Sequence, residues 1–554
     1  MRIAPAWLTG YRREWAARDL LAGLLVWSVV VPQAAAYAQI AGLPPSAGLA
    51  AAPVAMIAYA LVGTSRSLVV SATTATSALS AAAVGPLAHG DVKKFAALSA
   101  AAAIVTGVVV AAGGVFRLGG VMDLVSKPVM TGFLFGLGLT VAIGQLPKLF
   151  GVPAGSGHFF QQLWDLVTNL DQADWWTFGT GAISLVALVA LRRFARNVPG
   201  MLIVLAGAIV LSKALDLKSH GVDVIGKLPS AYPDPAIPDV SWGDILNLLG
   251  VAFGVLIVSA EAVSVGRTLA AQQGYRVDVN RDLVALGAAN AAAGFSSGFI
   301  QSGGASQTIA AEEAGGKTQL TSVIAAVLIV FTGVFLAFVF EDLPQATLGA
   351  IVIVAIAGFW RVDEIRRFAT LRRSAVLLSL IALVGVLLMG ILPGLILAAG
   401  LSLAFLIQRL SRPQVAPVGR DPATGEWGRI DLHPGWEPPP GVVAARVEGL
   451  LFYANANTVQ ERLLAMARST DPPPRALVLD VAESPGFDVE TLDMLTDLVG
   501  RLGADGIELR LANVREHGRE LLRRRGLLPR LQVSRSLDEA AVLRTDTTSP
   551  SPLH

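Results

Sequence analysis

The chain has no cysteine among its 554 residues, which excludes disulfide bonds, thiolate metal ligands and cysteine nucleophiles. Its six histidines are scattered and do not show the spacing of a metal site such as H-E-x-x-H. Acidic and basic side chains nearly balance, at a net charge of +2, so nucleic acid is not a predicted partner. No cofactor is predicted, and an enzyme is the least favoured class because no nucleophile motif is present.

Charged residues are also scarce, at 15% of the chain against about 25% in soluble domains. They are unevenly spread, since residues 411–554 hold 37 of the 84 Lys, Arg, Asp and Glu side chains. The first 410 residues are correspondingly poor in charge, and 53% of the whole chain is hydrophobic. This contrast predicts a long N-terminal part in a lipid bilayer and a short C-terminal part in water.

Apolar segments of about 20 residues, long enough to cross a bilayer, recur between Leu20 and Leu410. We therefore predict an α-helical polytopic membrane protein with about fourteen transmembrane segments, two of them short. The predicted segments, numbered 1 to 14, are 20–38, 46–63, 73–86, 94–114, 127–148, 174–192, 199–214, 246–266, 281–298, 305–314, 319–340, 344–359, 373–390 and 393–410.

The basic residues of the short loops predict the orientation, because Lys and Arg in such loops stay on the cytoplasmic side. Counting from a cytoplasmic lead-in at residues 1–19, the loop predicted outside after segment 11 has Glu341 and Asp342 and no base. The even count places the C-terminal part inside as well. The prediction is a multi-pass protein of the cell (plasma) membrane with both termini in the cytoplasm. The arginines predicted inside include Arg12, Arg13, Arg18, Arg66, Arg192, Arg193, Arg196, Arg267, Arg276, Arg281, Arg361, Arg366, Arg367, Arg372 and Arg373.

Segments 3 and 10 are short, follow stretches of small and polar residues (SRSLVVSATTATS and SSGFIQSGGASQT), and are each third in their half of a seven-plus-seven count. Paired short segments in matching places are typical of inverted-repeat transporters with a substrate site at the bilayer midplane. A helix that begins inside the membrane leaves unpaired N–H groups and a positive dipole end, which suit an anion. The alternative is a pair of imperfect helices packed through small residues.

The chain changes character after Leu410. Residues 411–440 have the Pro and Gly content of a linker. Strand-like and helix-like runs alternate over residues 441–545, which predicts a small α/β domain. Residues 546–554 have the composition of a disordered tail.

Three blocks of sequence resemble the sulfate permease (SulP) family of anion transporters, the bacterial relatives of solute carrier family 26. The blocks are VPQAAAYAQIAGLPPSAGL followed by ALVGTSRSLVVSATTATSAL, the stretch from AEAVSVGRTLA through NRDLVALGAANAAAGFSSGFIQSGGASQTIAAEEAGGKTQL, and the tail. In LLFYANA and RALVLDVAESPGFDVETLDML the tail resembles a cytoplasmic STAS domain. The resemblance implies an inverted repeat in which a core domain (segments 1–4 and 8–11) moves against a gate domain (segments 5–7 and 12–14). It also implies a homodimer.

The resemblance places the end of segment 1 beside a central cavity, where Gln33 and Tyr37 are candidate anion ligands or, alternatively, contacts between helices. Many relatives carry Ser-Arg-Thr at the start of segment 10, where this chain has Gln307 in place of the arginine. Without that fixed charge, we expect dipoles and hydrogen bonds alone, or a co-transported cation, to hold the anion. The other candidate ligands, at the starts of segments 3 and 10, are Ser71, Thr73, Thr74, Gly303, Gly304, Ala305, Ser306, Gln307 and Thr308.

Glu261 is the only acid within segment 8, and an ionisable residue inside a bilayer is functional by default because its burial is costly. In the family, an acid here faces the substrate site and is associated with proton or sodium coupling. A protonated Glu261 can carry a proton, whereas an ionised one can bind sodium. We expect no arginine beside Glu261, which favours its neutral form and proton symport. Arg361 and the arginines after it are expected to be orientation signals rather than ligands.

The predicted function is secondary-active transport of a small inorganic or carboxylate anion, first of all sulfate uptake by proton symport through alternating access. The alternatives are a bicarbonate or dicarboxylate symporter, coupled to protons or sodium, and an anion channel or uniporter. The STAS domain is a candidate contact for a cytoplasmic protein partner, and regulation, folding and dimer contacts are alternative roles for it. A further alternative is a membrane-tethered regulator whose STAS domain binds a partner. Where the related antagonists have a phosphorylatable Ser or Thr, Val489 follows Asp488, so phosphorylation is not expected there, although Thr491 is close by.

Overall fold

The computed structural model describes residues 5, 7–8, 11–120, 126–155, 157–195, 198–226 and 237–542. The chain forms two compact units, Met1–Ser402 and Leu403–His554. The tail predicted at 546–554 lies outside the described residues, as does part of the lead-in at 1–19.

The first unit consists of two series of helices, each interrupted by a very short strand. The first series is α1 (Ala16–Ile40), α2 (Pro45–Val62), β1 (Val70–Ser71), α3 (Thr74–Ala88), α4 (Val92–Val115), α5 (Lys127–Phe150), α6 (Phe159–Thr168), α7 (Trp175–Phe194) and α8 (Gly200–Ala214). The second is α9 (Trp242–Gln272), α10 (Val279–Phe295), β2 (Ser302–Gly303), α11 (Ala305–Glu313), α12 (Leu320–Phe335), α13 (Gln345–Ile356), α14 (Val362–Leu371), α15 (Arg373–Met389) and α16 (Ile391–Leu410), the last of which continues past the end of the unit at Ser402.

The polytopic helical fold is confirmed. Within the described residues, eight helical stretches are long and apolar enough to cross a membrane, and α8, α12 and α15 are shorter apolar helices. Each predicted segment contains one helix, and α3, α10 and α11 account for the remaining three. The sequence did not predict α6 and α14, which lie between segments. Both helices are amphipathic, and α6 exposes Phe160, Leu163 and Trp164.

Helix packing follows the predicted inverted repeat. Each helix of one half corresponds to the helix seven segments away in the other half. The contact of α4 with α10 then corresponds to that of α12 with α2, the contact of α4 with α9 to that of α12 with α1, and the contact of α5 with α15 to that of α13 with α7. All six contacts are present. Likewise α1 on α11 corresponds to α9 on α3, and both pairs pack. The two halves therefore make the same contacts in a two-fold arrangement, as expected of an inverted-repeat transporter.

Small residues allow the central helices to approach closely. A methyl group on Gly107 of α4 would lie 2.7 Å from the carbonyl oxygen of Gly287 in α10, and one on Gly287 would lie 2.6 Å from the carbonyl oxygen of Gly107. Backbones can come this near only where side chains are absent, as is usual between membrane helices. The helices of segments 1–4 and 8–11 pack mainly with one another, as do those of segments 5–7 and 12–14.

The second unit is an α/β domain. Its elements are β3 (Gln414–Arg420), β4 (Trp427–Arg429), β5 (Val442–Glu448), α17 (Ala456–Arg468), β6 (Ala476–Asp480), α18 (Val489–Ala504), β7 (Glu508–Ala512), α19 (Glu516–Arg524), β8 (Gln532–Ser534) and α20 (Leu537–Ala541). The sheet has the order β4-β3-β5-β6-β7-β8, with β5 to β8 parallel and β3 and β4 antiparallel at one edge. Residues 411–440, predicted as a linker, thus contribute two strands to the sheet.

Asp488 is the N-cap of α18. Its carboxylate accepts hydrogen bonds from the backbone N–H groups of Tyr453 (2.6 Å) and Thr491 (2.9 Å). The nearby hydroxyl residue, Thr491, is fully buried. The side chain of Asp488 therefore holds the start of α18 against the loop between β5 and α17.

Replacing Asp488 by Ala removes both acceptors and is expected to cost about 1 kcal/mol of folding stability. The measurement is hydrogen–deuterium exchange of residues 489–504 in the intact protein, where protection should fall. Asp488→Asn is the matched control, because Asn caps a helix about as well as Asp. Equal protection in native protein and Asp488→Ala would contradict the assignment.

The same cap predicts a pH dependence. Burial disfavours the charge of Asp488, but the hydrogen bonds from Thr491 and Tyr453 outweigh it and lower the pKa of the carboxyl. A carboxyl with a lowered pKa stabilises the fold at pH values above its pKa in the unfolded chain, about 3.9 for Asp. That stability is lost as the pH falls through the pKa of the folded state. Protection of α18 should decline below about pH 4 in the native protein, and Asp488→Asn should lack this component.

Candidate functional site

The two short strands bring the starts of α3 and α11 together. β1 and β2 pair antiparallel, with Val70 opposite Gly303 and Ser71 opposite Ser302. The N–H of Gly304 donates to the carbonyl of Val69 (3.0 Å) and extends this pairing. Because each strand leads directly into a helix, two helix N-termini meet at one place inside the unit. The predicted pair of half-helices is therefore present, with their starts adjacent.

A cavity of about 170 Å³ lies at this junction, and we call it the junction cavity. This volume is several times the ~30 Å³ that one water molecule occupies in the liquid, enough room for a small oxyanion. Both helix starts line it, together with α1, α9 and the turn after α13. The lining residues are Tyr37, Thr73, Thr74, Ala75, Val258, Glu261, Ala262, Ser302, Gly303, Gly304, Ala305, Ser306, Gln307, Ala355, Gly358, Phe359 and Arg361.

The two helix starts differ in how their N–H groups are satisfied. Thr73 caps α3, since its hydroxyl accepts from the N–H of Thr76 (3.3 Å) and the Thr76 hydroxyl accepts from the N–H of Thr73 (3.3 Å). Gly304, the N-cap of α11, has no side chain to do the same. The first-turn N–H groups of α11 therefore remain for a ligand, at the end of the helix that carries about half a positive charge. The arrangement favours an anion at α11.

Gln307 brings no charge to the start of α11. Its side-chain amide donates to Oε1 of Gln33 at 2.7 Å, which joins α11 to α1. Its other polar atom, Oε1, is buried and has no hydrogen-bond partner among the described residues. A methyl group on Gly304 would lie 1.5 Å from that oxygen, so the glycine makes room for the amide. Gln307 thus lines the junction cavity as a neutral dipole.

Not every predicted ligand reaches the junction cavity. Gln33 lies at a second cavity, of about 510 Å³, that shares Ser306 and Ala355 with the first. Ser71 lies in β1, outside the cavity lining, and its hydroxyl is 3.4 Å from the carbonyl oxygen of Ala72. The Thr308 hydroxyl accepts from the N–H of Val69 (3.0 Å) and donates to the carbonyl of Gly304 (2.7 Å), so it fastens α11 to β1. Gln33, Ser71 and Thr308 therefore lie next to the junction cavity without lining it.

The expectation that Glu261 has no arginine beside it was wrong. Nη2 of Arg361 lies 3.8 Å from Oε1 of Glu261, and both side chains line the junction cavity. Their side chains are partly open to it, at 49% and 31% exposure. Arg361 was predicted to be only an orientation signal because it follows segment 12 in a run of loop arginines. The turn after α13 instead places it at the site.

Buried polar residues that were not predicted as functional hold the loops behind the junction. The Asn290 amide donates to the carbonyl of Gln301 (3.0 Å) and accepts from its N–H (2.8 Å). Gln319 donates to the carbonyls of Ser65 (2.9 Å) and Leu68 (2.8 Å). Each lies in a predicted span, and a polar residue inside an apolar segment was the available signal. Across the described residues, no group of three His, Asp or Glu is placed to bind a metal ion.

Family models match most of the chain. The sulfate permease family matches residues 17–382 and the STAS domain matches residues 436–540. A probable sulfate transporter of Mycobacterium tuberculosis is 35% identical over 522 residues, which cover 94% of this chain and 93% of the relative. Sulfate transporter 3.1 of Arabidopsis thaliana is 27% identical over 544 residues, covering 92% of this chain and 80% of the relative.

Solved structures share the fold. The murine Slc26a9 anion transporter, determined in an inward-facing state, superposes with a TM-score of 0.88 at 22% identity, covering 96% of this chain and 92% of that one. The transmembrane domain of the cyanobacterial bicarbonate transporter BicA superposes with a TM-score of 0.63 at 20% identity, covering 72% of this chain and all of that one. Taken with the family matches, these findings show that the chain belongs to the sulfate permease family of anion transporters, with a C-terminal STAS domain, and is not an enzyme.

Proposed function

We propose that this anion transporter takes up sulfate by proton symport through alternating access, with the anion held between the N-termini of α3 and α11. The observation that carries the proposal is the junction cavity. It combines the uncapped start of α11, hydroxyl groups, a carboxylate and a guanidinium in one small space. A sulfate ion has four oxygens that accept such hydrogen bonds, and backbone N–H groups at a helix start are suited to it.

The named relatives support sulfate as the first substrate to test. The 35% identical relative is a probable sulfate transporter, and its similarity extends over nearly the whole of both chains. Bicarbonate remains the second candidate, because a bicarbonate transporter shares the fold of the membrane unit.

Glu261 is the proposed coupling group, and the geometry supports protons over sodium. A sodium ion bound to Glu261 would lie close to the Arg361 guanidinium, 3.8 Å from the same carboxylate, and the two cations would repel each other. A proton adds the same charge, and Arg361 favours the ionised carboxylate until an anion binds. A proton, however, binds to the carboxylate oxygen itself and needs no further oxygen ligands in the small junction cavity, whereas a sodium ion does. Proton transfer therefore fits this site better than sodium binding.

The second cavity gives the anion a route. It adjoins the junction cavity at Ser306 and Ala355 and is lined by Arg192, one of the arginines predicted on the cytoplasmic side. A basic side chain there would attract anions toward the junction.

We also propose that the protein lies in the plasma membrane with cytoplasmic termini, forms a homodimer, and uses its STAS domain to contact a cytoplasmic protein.

The substrate is tested by uptake of labelled sulfate into proteoliposomes that contain the purified protein. Unlabelled sulfate, bicarbonate, malate and chloride are then added as competitors. The proposal predicts saturable uptake that sulfate inhibits most strongly. Absence of sulfate uptake by correctly folded protein, or stronger inhibition by bicarbonate or malate, would overturn the sulfate assignment.

A further inference from the structure

We propose that Arg361 is the positive counter-charge of the transported anion, delivered from the gate domain to the start of α11, whose first turn has no charged side chain. The inference rests on the proposed function and identifies a specificity-determining residue for it. Gln307, in the first turn of α11, is neutral, and its side-chain amide donates to Gln33. Among the lining residues of the junction cavity, Arg361 is the single permanent cation.

The backbone around Arg361 fixes where its side chain begins. Arg361 is the N-cap of α14, and its N–H donates to the carbonyl of Phe359 at 2.9 Å. Its own carbonyl accepts from the N–H groups of Glu364 (3.2 Å) and Ile365 (3.3 Å). The start of the side chain is thereby fixed to the gate domain. The guanidinium at its far end lies 3.8 Å from Glu261, too long for a hydrogen bond, and is half exposed.

This contact joins the two moving bodies. Glu261 belongs to α9 of the core domain, whereas Arg361 follows α13 of the gate domain. The neighbouring acid, Glu364, is already paired with Lys127 at 2.9 Å, so Glu261 is the acid within ion-pair distance of Arg361 in the described part of the chain. With no anion in the cavity, the carboxylate is the partner of the guanidinium.

The pair explains why anion and proton are bound together. A sulfate at the start of α11 competes with the Glu261 carboxylate for the same guanidinium, and the two negative charges repel each other. A proton on Glu261 removes both obstacles and leaves Arg361 free to bind the anion in a two-point contact. Because such linkage is reciprocal, the bound anion also favours the protonated carboxyl. The guanidinium thus changes partner, from carboxylate to anion, in each cycle.

Equilibrium binding of labelled sulfate to purified protein in nanodiscs tests the proposal. Arg361→Gln should raise the Kd for sulfate at least tenfold, and Arg361→Lys, which keeps the charge, should recover part of the loss. Arg366→Gln is the matched control, because Arg366 is an exposed residue of the same helix outside the cavity lining and its loss should leave the Kd unchanged. Size-exclusion chromatography checks that each variant is folded.

A double variant separates anion binding from simple neutralisation of Glu261. If Arg361 binds the anion, Glu261→Gln/Arg361→Gln should bind sulfate at least tenfold more weakly than Glu261→Gln alone. If the double variant instead binds as tightly as Glu261→Gln, Arg361 only offsets the carboxylate and the proposal is wrong. Failure of the native protein to bind sulfate would count against the proposed substrate, and Arg361 would then be judged with the competitor anion that does bind.

Discussion

Replacing Glu261 by Gln is expected to abolish proton-driven accumulation of sulfate while exchange of internal for external sulfate continues. Gln cannot take up or release a proton, yet it keeps nearly the same shape and can still lie beside Arg361. Each coupled proton adds about 1.4 kcal/mol, a tenfold accumulation, for each pH unit of gradient when the membrane potential is held at zero. The variant should lose this driving force entirely. The measurement is the steady-state ratio of internal to external labelled sulfate.

Glu313→Gln is the control for that experiment. Glu313 ends the short helix α11, which begins at the junction cavity, but its side chain is exposed and outside the cavity lining, so its neutralisation should leave accumulation intact. Continued proton-driven accumulation by Glu261→Gln would show that the coupling proton is carried elsewhere.

Replacing Gly303 by Ala is expected to reduce sulfate uptake at least tenfold. The added methyl group would lie 2.7 Å from Cβ of Ala262 and 2.8 Å from Cδ1 of Leu68, and both neighbours are buried. Overpacking of this kind typically costs about 1–3 kcal/mol or forces the backbone to move. The nearest backbone to move is α9 next to Glu261, which would change the cavity itself. Initial rates of labelled sulfate uptake measure the effect.

Gly85→Ala is the matched control for this substitution. Gly85 lies in α3, and a methyl group there would meet no atom within 4 Å. Alanine is also the better helix former by about 1 kcal/mol. The variant should therefore take up sulfate at the native rate, and its folding stability should be equal to or slightly higher than that of the native protein. A Gly303→Ala variant with native uptake would contradict the close packing of β2 against α9.

The sequence predicts elements whose signal is local. The short segment at 305–314 agrees with α11 (Ala305–Glu313), because its polar lead-in and glycines are visible in the chain itself. The apolar lengths of the long helices are visible in the same way. Amphipathic helices such as α6 are not visible in this way, because a helix with only one apolar face contains no long apolar run. The strands β3 and β4 were not predicted because the Pro and Gly residues of this stretch favour a linker interpretation.

The charge arrangement at the site depends on tertiary structure and was not visible in the sequence. Glu261 and Arg361 are 100 positions apart in the sequence. One lies in the core domain and the other in the gate domain, so no spacing rule connects them. The sequence shows that Gln307 lacks a charge, but not that a loop arginine supplies one nearby. Likewise, the sequence makes Gln33 a candidate ligand but does not show that its side-chain oxygen accepts a hydrogen bond from Gln307. Pairings of this kind depend on tertiary packing, such as that of α11 against α1.

The most direct test of the central claim is whether a proton gradient drives sulfate uphill. Proteoliposomes with the native protein are loaded with equal sulfate on both sides, the membrane potential is clamped at zero, and the outside is acidified by one pH unit. The account predicts that internal labelled sulfate rises above the external concentration, by up to about tenfold for one coupled proton, and that an uncoupler abolishes the rise. Internal sulfate that never exceeds the external concentration would contradict proton symport and favour a channel or uniporter.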